Sequence, residues 1–434
     1  MFNNVFDAHA PNLEKHKIFT RNKSTFTFLH ILIASSFNGT FIYIIICKQG
    51  TKNINLKIMK VHISYIIKAF VAGCIIFMFA SCNNNQGTTS TSTKDSTTTE
   101  NRTGTLKPTM PAPEWAPDIK PEMQVVIEKL MSLGGKPIET LTAQEARMQP
   151  TPTDAVMAVM QDNKMTAPAP QCDTMGKDIP VTGGTTHVRI YTPKQGKAPY
   201  PVIVYYHGGG WVIANIDVYN GGAQGLCEQV GAVVVSVEYP MGPERKFPAA
   251  HNVSFDAYQW VLKNFAMLKG DSTKLAVVGE SAGGNLAANM SIMARDKKIK
   301  MPLCQVLIYP IANNDVNSES YVKYAAAKPL SKPMMEWFIK NEFSSAAQAA
   351  DPRVSLVKAN LAGLPKTLII AAEIDPLQTE GKLLSDKLSA AGVQTDYQLF
   401  PGVTHEFFGM AAVVPQAKEA QALAASKLRA TFGL

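Results

Sequence analysis

Short apolar segments alternate with helix-forming segments over residues 113–434. The segments predicted to be strands are 187–191, 202–206, 233–238, 275–279, 305–309, 367–371 and 395–400. Helical patterns lie between several of them, at 222–229, 255–263, 286–295 and 377–391. Strands that are apolar almost throughout are typical of a sheet buried on both faces. The alternation therefore predicts an α/β domain with a mostly parallel central sheet flanked by helices.

One serine lies between two glycines where a predicted strand turns into a predicted helix. The sequence is Gly279-Glu280-Ser281-Ala282-Gly283. A sharp turn brings the flanking backbone segments close together, and glycine removes the β-carbons that would collide there. The pattern G-x-S-x-G holds a serine hydroxyl out above the sheet edge, beside the N–H of the next residue. Ser281 is therefore a candidate nucleophile, although an ordinary strand-to-helix turn remains open on this pattern alone.

A serine nucleophile requires an acid and a base, which follow it along the chain in this kind of sheet. Asp375 comes soon after the strand 367–371, and His405 follows the last predicted strand. Catalytic groups collect at the carboxyl ends of parallel strands. Asp375 also fits a helix cap, because Pro376 suits a first helical position.

We expect activity to fall as His405 protonates at roughly pH 6–7. Its neighbour Glu406 is not expected to take part in the chemistry.

Three consecutive glycines follow the strand 202–206, in His207-Gly208-Gly209-Gly210-Trp211. Successive glycines let backbone N–H groups turn towards a developing negative charge. Together with the N–H of Ala282 they can form an oxyanion hole. A flexible glycine loop is the alternative, but it does not explain why this motif and the serine motif follow separate strands in this order.

Taken together, these segments resemble the hormone-sensitive-lipase-like α/β-hydrolases, the bacterial family IV esterases. The matching segments are HGGGW at 207–211, EYPMGPERKFPAA at 238–250, GESAGGNLA at 279–287, DPLQTEG at 375–381 and HEF at 405–407. The segment LGGKPIETLTAQEAR at 133–147 resembles the cap helices of that family. The resemblance covers about residues 115–432. It implies an α/β-hydrolase fold over residues 113–434, with an N-terminal helical cap at about 114–165.

The resemblance also implies roles for individual residues. Ser281, Asp375 and His405 would form the catalytic triad, and Gly209, Gly210 and Ala282 would supply the oxyanion N–H groups. The supporting motif residues would be His207, Gly208, Gly279, Glu280 and Gly283. The family's usual substrates are short- to medium-chain carboxylic esters, and the reaction requires no metal and no cofactor. Glu280 stands where aspartate is common, Pro240-Met241 replaces an Arg-Leu pair and Gln378-Thr379 replaces an Arg-Asp pair, which leaves the substrate range open.

Other functions and other readings of the cap remain open at this stage. A peptidase or amidase would use the same triad on the same fold. A non-catalytic protein that binds a small molecule in the same pocket is a second alternative, and the presence of His405 argues against it. The methionine-rich residues 114–165 fit either an ordinary packing layer or an adaptable cover over a site.

A leader precedes the domain. Residues 59–81 have two lysines before twelve mostly apolar residues at 69–80, which suits a signal peptide and is short of the roughly twenty residues of a membrane span. The ending Ser81-Cys82 resembles a bacterial lipoprotein signal, with Cys82 lipidated after cleavage, although Phe79 stands where an aliphatic residue is usual. Residues 82–112 are rich in Ser, Thr and Asn and predict a tether. We expect an exported lipoprotein, anchored on the periplasmic or cell-surface side.

Residues 1–58 have no place in that scheme, because signal peptides begin at the N-terminus. We expect translation to begin at Met59, with residues 1–58 an upstream extension that is not part of the native protein. The alternative is a transmembrane helix over residues 26–47, in which Asn38, Gly39 and several Ser and Thr residues are less apolar than such a helix usually is.

Charge and cysteine usage limit the possible partners. The whole chain has a net charge of +8, and residues 1–81 contain nine Lys and Arg against two Asp and Glu. The rest of the chain is nearly neutral, so we predict no nucleic-acid binding. Cys172, Cys227 and Cys304 are too few and too widely spaced for a disulfide framework or a zinc site. Cys227 and Cys304 are expected in the core. The sequence leaves the oligomeric state open.

Overall fold

The computed structural model describes residues 106–434 with their side chains, and the backbone of four strands between residues 14 and 61. These strands are β1 Glu14–Ile18, β2 Phe28–Ser35, β3 Phe41–Lys48 and β4 Asn55–Val61, and they form an antiparallel sheet in chain order. Residues 1–98 form one unit and residues 99–434 another. Strands β2 and β3 therefore lie in residues 26–47, where the alternative interpretation placed a transmembrane helix. The predicted signal peptide beyond residue 61, Cys82 and the tether up to residue 105 lie outside the described residues.

An eight-stranded sheet is the centre of residues 99–434. Its strands are β5 Cys172–Val181, β6 Gly184–Pro193, β7 Tyr200–Tyr206, β8 Val233–Val237, β9 Gly270–Glu280, β10 Cys304–Ile308, β11 Lys366–Ile374 and β12 Thr395–Thr404. The spatial order is β12-β11-β10-β9-β7-β8-β6-β5. Strands β7 to β12 pair in parallel, and β5 and β6 are antiparallel. The prediction of a mostly parallel sheet is confirmed.

Helices cover both faces of this sheet. They are α1 Pro121–Ser132, α2 Ala143–Ala146, α3 Pro152–Asp162, α4 Asn220–Val230, α5 Ala249–Lys263, α6 Ala282–Asp296, α7 Glu319–Lys323, α8 Lys332–Glu342, α9 Ala346–Ala349, α10 Gln378–Ala390 and α11 Pro415–Phe432. Val202 and Val204 of β7 join one buried cluster, with residues of α5 and α6. Ile203 and Tyr205 of the same strand join the other, with residues of α4 and α11. Successive side chains thus enter opposite cores, which explains the unbroken apolar strands.

Helices α1, α2 and α3 form the N-terminal cap. Arg147, just after α2, donates to the carbonyl of Val212 at 2.8 Å and pairs with Glu244 at 2.7 Å. The indole of Trp337 donates to the carbonyl of Leu141 at 2.9 Å, which joins α8 to the cap. The cap is therefore attached beside the glycine loop that follows β7.

The cap methionines divide between packing and solvent. Met123 and Met160 are buried, whereas Met131, Met148 and Met157 are 59%, 82% and 63% exposed. Of the two readings of this methionine-rich segment, the buried pair fits a packing layer.

The folded unit begins earlier than the predicted boundary at residue 113. Both the N–H and the hydroxyl of Thr109 donate to Glu128 on α1, at 2.8 and 2.6 Å. The side-chain amide of Gln124 donates to the carbonyl of Met110 at 2.7 Å. The last residues of the predicted tether, 106–112, are therefore held against α1, because polar side chains of that helix satisfy their backbone groups.

The cysteines of the domain are buried free thiols. Cys172, Cys227 and Cys304 are unpaired within the described residues. Cys227 and Cys304 lie in the core, as predicted.

Candidate active site

The turn between β9 and α6 has the geometry that its two glycines predict. Ser281 has φ 56° and ψ −118°, a strained conformation for a residue with a side chain. A β-carbon on Gly279 would lie 2.0 Å from the carbonyl oxygen of Gly283. A β-carbon on Gly283 would lie 2.0 Å from the carbonyl oxygen of Tyr206. No side chain fits at either position, so the glycines are a steric requirement of this turn.

Ser281, His405 and Asp375 form a continuous hydrogen-bond chain. The Ser281 hydroxyl lies 2.9 Å from Nε2 of His405, and Nδ1 of His405 lies 2.7 Å from Oδ2 of Asp375. Asp375 is fully buried, and the other two are 4% exposed. The structure thus brings together three residues that the sequence places far apart. This geometry suits a nucleophile, a base and an acid that orients the base.

Asp375 is also tied to the backbone beyond β11. Its Oδ1 accepts a hydrogen bond from the N–H of Leu377 at 2.9 Å. Helix α10 begins at Gln378, with Leu377 as its cap residue. Asp375 therefore satisfies a backbone N–H in the turn before the helix as well as facing His405, so both roles that the sequence suggested fit this residue. The backbone bond fixes its carboxylate, so that Oδ2 faces His405.

The environment of His405 favours its protonated form. Burial on its own lowers the pKa of His405, but the charge of Asp375 and its hydrogen bond outweigh burial and raise the pKa above 6.5. The Tyr309 ring packs against the imidazole with a centroid distance of 4.6 Å. A base whose charged form is stabilised in this way takes a proton from serine more readily.

The N–H groups of Gly209, Gly210 and Ala282 point away from the carbonyl groups of the residues before them, and those carbonyls already accept hydrogen bonds. The hydroxyl of Tyr239 donates to the carbonyls of His207 and Gly208 at 2.8 and 3.0 Å. The carbonyl of Gly209 accepts from the N–H groups of residues 212 and 213, and that of Ser281 from the N–H groups of residues 285 and 311. In a trans peptide the N–H points opposite to the carbonyl. The N–H groups of Gly209, Gly210 and Ala282 are thus directed away from these partners, as an oxyanion hole requires.

His207 and Gly208 hold the glycine loop in place. The His207 ring is fully buried and stacks on Tyr239 with a centroid distance of 4.2 Å. Its Nδ1 lies 2.8 Å from the carbonyl oxygen of Gly208, and its Nε2 lies 3.6 Å from Glu238. Sequence reasoning missed Tyr239 in this role. The only signal was its position in the matching segment at 238–250.

Glu280 lies behind the nucleophile and points away from the substrate side. Its two oxygens accept hydrogen bonds from the phenols of Tyr205 and Tyr309. Burial raises the pKa of Glu280 to about 7, although these hydrogen bonds oppose the shift. A β-carbon on Gly222 of α4 would lie 2.3 Å from Glu280 Oε1, so the cavity around this longer acid is full.

A narrow pocket opens at the Ser281 hydroxyl. The empty volume between its lining residues is about 300 Å³, part of which is open to solvent. Its polar lining is Gly209, Gly210, Ser281, His405 and Glu406, and its apolar lining is Ile311, Pro329, Leu330, Met334, Met335 and Phe338. Residues 114–165 contribute nothing to this lining, so the methionines that reach the site belong to α8 and not to the cap. Within the part of the chain that the structure describes, no cluster of His, Cys, Asp and Glu is suited to hold a metal.

Comparison with known proteins assigns this arrangement to a family. An α/β-hydrolase-fold family profile matches residues 203–409. Ethyl acetate hydrolase of Pseudomonas putida is 31% identical over 310 residues, which cover 70% of this chain and 95% of the relative. The chain belongs to the hormone-sensitive-lipase-like α/β-hydrolases, the bacterial family IV carboxylesterases. It is a serine hydrolase of the carboxylesterase type, as its sequence motifs imply.

Further relatives of this carboxylesterase agree with the assignment. Carboxylesterase NlhH of Mycobacterium tuberculosis is 36% identical over 237 residues, 54% of this chain and 74% of the relative. Among solved structures, the Pyrobaculum calidifontis esterase is 34% identical and matches with a TM-score of 0.64, covering 70% of this chain and 97% of its own. A thermostable esterase from Pseudomonas putida matches with a TM-score of 0.67 at 30% identity, covering 74% of this chain and 99% of its own. The predicted α/β-hydrolase fold is confirmed.

Proposed function

We propose that this carboxylesterase hydrolyses short- to medium-chain carboxylic esters, with acetates and propionates fastest, through an acyl-enzyme on Ser281. The observation that carries the proposal is the hydrogen-bond chain from Ser281 through His405 to Asp375 at the floor of a narrow pocket. The chain links a nucleophile to a buried base and an orienting carboxylate, and apolar side chains narrow the space beside it. The names of the relatives, esterases and ester hydrolases, favour ester hydrolysis over the peptidase and binding alternatives.

The mechanism follows from this geometry. His405 takes the proton of Ser281 as the hydroxyl attacks the ester carbonyl, and Asp375 keeps the imidazole in the required tautomer. The N–H groups of Gly209, Gly210 and Ala282 stabilise the negative oxygen of the tetrahedral intermediate. His405 then donates its proton to the leaving alcohol. Water, activated by the same base, releases the acid and restores Ser281.

Phe338 supports the preference for short acyl chains. It lies on α8, is 3% exposed and forms part of the apolar wall of the pocket. A β-carbon on Gly210 would lie 2.4 Å from its ring, so the ring sits directly against the glycine loop at residues 207–211, the oxyanion loop. Each methylene group that a pocket buries contributes about 0.8 kcal/mol. Because the Phe338 ring fills this space, a longer acyl chain cannot bury its additional methylene groups there.

Replacing Phe338 by alanine is expected to shift the acyl preference. The wild-type chain should hydrolyse p-nitrophenyl acetate at least as efficiently as the butyrate, and the decanoate slowest. In Phe338→Ala the ratio of kcat/KM for butyrate over acetate should rise about tenfold, since the opened space accepts two more methylene groups. Steady-state kinetics on the three esters measures this ratio.

The control for this change is Phe432→Ala. Phe432 is equally buried, at the end of α11, and does not line the pocket. It should lower thermal stability without changing the butyrate-to-acetate ratio. Two results would contradict the proposed role of Phe338: a wild-type enzyme that prefers the decanoate, or a butyrate-to-acetate ratio that Phe338→Ala leaves unchanged.

We also propose that the mature protein is an exported lipoprotein anchored through Cys82, on the periplasmic or cell-surface side. The support is sequence alone: the basic and apolar segment at 59–81, the cysteine and the Ser/Thr-rich residues after it. Mass spectrometry of protein from the membrane fraction should find Cys82 as the lipid-modified first residue, and Cys82→Ser should release the enzyme from that fraction. A peptide from residues 1–50 would show that the upstream extension is translated.

A further inference from the structure

Glu406, the residue after His405, brings a carboxylate into the pocket that holds Ser281 and His405. Its backbone has φ 65° and ψ 9°, the left-handed region that residues with side chains rarely adopt. The sequence assigned it no part in the chemistry, because a glutamate beside a catalytic histidine is not informative without the direction of its side chain. The structure gives that direction.

Tyr219 fixes the Glu406 carboxylate in position. Its hydroxyl donates to Oε1 of Glu406 at 2.5 Å. Tyr219 itself is 4% exposed, and a β-carbon on Gly208 would lie 2.3 Å from its hydroxyl, so it is wedged against the oxyanion loop. None of the ion pairs within residues 106–434 includes Glu406. A carboxylate that Tyr219 holds in position therefore lines the pocket beside Ser281 and His405.

The rest of the pocket strengthens this negative charge. Among the lining residues in the described part of the chain there is no lysine and no arginine, and most of the wall is apolar. Charges interact more strongly beside an apolar wall than in water. Glu280 lies behind the site; burial raises its pKa to about 7, and the charge of Glu406 adds to that rise.

The position of Glu406 points to one part of the ester. His405 must hand its proton to the leaving alcohol, so the alcohol oxygen lies at Nε2 of His405 during that step. In the proposed reaction the acyl chain lies against the wall that Phe338 and α8 form. Glu406 lines the same pocket as His405 and follows it in the chain, which puts it nearest to the first atoms of the alcohol.

We propose that Glu406 recognises the alcohol part of the ester and makes this enzyme prefer alcohols that carry a positive charge. The inference rests on the proposed ester hydrolysis at Ser281 and adds a substrate class to it. The expected order is cationic over neutral over anionic alcohol. The carboxylate attracts the first, is indifferent to the second and repels the third.

Two esters of the same shape test the charge directly. Acetylcholine and 3,3-dimethylbutyl acetate differ in having nitrogen or carbon at the branched centre, and acid release in a pH-stat follows both. At about pH 8 and low salt, the wild-type kcat/KM should be about tenfold higher for acetylcholine, a factor between that of a close charge pair in water and that of a pair near a protein surface. High salt should reduce this ratio, because it screens the pair.

Two variants assign the preference to this carboxylate. Glu406→Gln should bring the acetylcholine ratio close to one, while Glu419→Gln, the same change at an exposed site on α11, should leave it unchanged. Tyr219→Phe keeps the ring but frees Glu406 Oε1, and should lower the ratio severalfold. This second variant keeps the test decisive if Glu406→Gln is unstable.

The outcomes separate this inference from the proposed function. A wild-type ratio near one, or a ratio that Glu406→Gln and Tyr219→Phe both leave unchanged, overturns the role of Glu406 even if ester hydrolysis is robust. An equal loss on both esters in Glu406→Gln also overturns it, because Glu406 would then act on the oxyanion loop and not on the alcohol. Failure of the wild-type enzyme to cleave p-nitrophenyl acetate would instead refute the proposed function.

Discussion

Replacing Ser281 by alanine should lower kcat for p-nitrophenyl acetate by about 10⁵-fold or more, because it removes the atom to which the acyl group is transferred. The oxyanion N–H groups remain, so a rate somewhat above that of the uncatalysed reaction in water should persist. Steady-state kinetics on purified wild-type and variant chains measures the loss. The thermal midpoint should change little, since the hydroxyl contributes only its hydrogen bond to His405.

Ser291→Ala is the matched control for this change. Ser291 lies on the same helix, α6, and is fully buried, but it does not contact His405. Its loss should leave kcat for the acetate within about twofold of wild type, the range of small packing changes. An alkyl phosphonate that labels serine nucleophiles should modify Ser281 alone in wild type. More than about one per cent residual activity in Ser281→Ala would mean that another group attacks the ester.

The second large effect is expected for Asp375→Asn, which should lower kcat by about 10⁴-fold. The amide has nearly the same shape and its oxygen can still accept from the N–H of Leu377, so the fold is retained. The amide nitrogen or oxygen then faces Nδ1 of His405 without a negative charge. The imidazole loses the partner that selects its tautomer, and the imidazolium formed during the reaction loses its stabilisation.

The same variant should move the pH profile of kcat/KM. The base works only when neutral, so activity falls as pH decreases through the pKa of His405. That pKa is raised above 6.5 in the wild type, since the charge and hydrogen bond of Asp375 outweigh burial. The wild-type midpoint is therefore expected above 6.5, in the upper part of the range predicted from sequence or beyond it. Without the charge of Asp375, burial prevails and the midpoint should move to lower pH.

Rates measured from about pH 5 to 9 provide this comparison, with Asp386→Asn as the control. Asp386 lies on α10, is more than half exposed and pairs with Lys382. An exposed pair of this kind contributes little, so neither rate nor midpoint should change. A midpoint that Asp375→Asn leaves in place would contradict the assignment of His405 and Asp375 as a coupled pair.

Most of the sheet could be predicted because its central strands are buried on both faces. A strand such as β9 has to be apolar at successive positions, and that requirement is visible without a structure. Strand β5, Cys172–Val181, was missed because it is an edge strand. Most of its side chains are exposed, and its sequence CDTMGKDIPV contains no apolar run. It is a strand because β6 offers it a complete antiparallel register, from Cys172 with Pro193 to Val181 with Gly184.

Local sequence patterns were sufficient to predict where Ser281, Asp375 and His405 lie, because each follows the end of a strand. Four short segments carry these groups: the glycines around Ser281, the triple glycine after β7 and the loops with Asp375 and His405. Local turns and the order of the strands in the sheet are enough to bring them together. The size and charge of the pocket were decided by tertiary structure alone. Phe338 lines the pocket because α8 packs against Gly210, and Glu406 lines it with a carboxylate that Tyr219, from before α4, holds in position. Such contacts join segments far apart in the chain and depend on side-chain direction, which no local sequence pattern specifies.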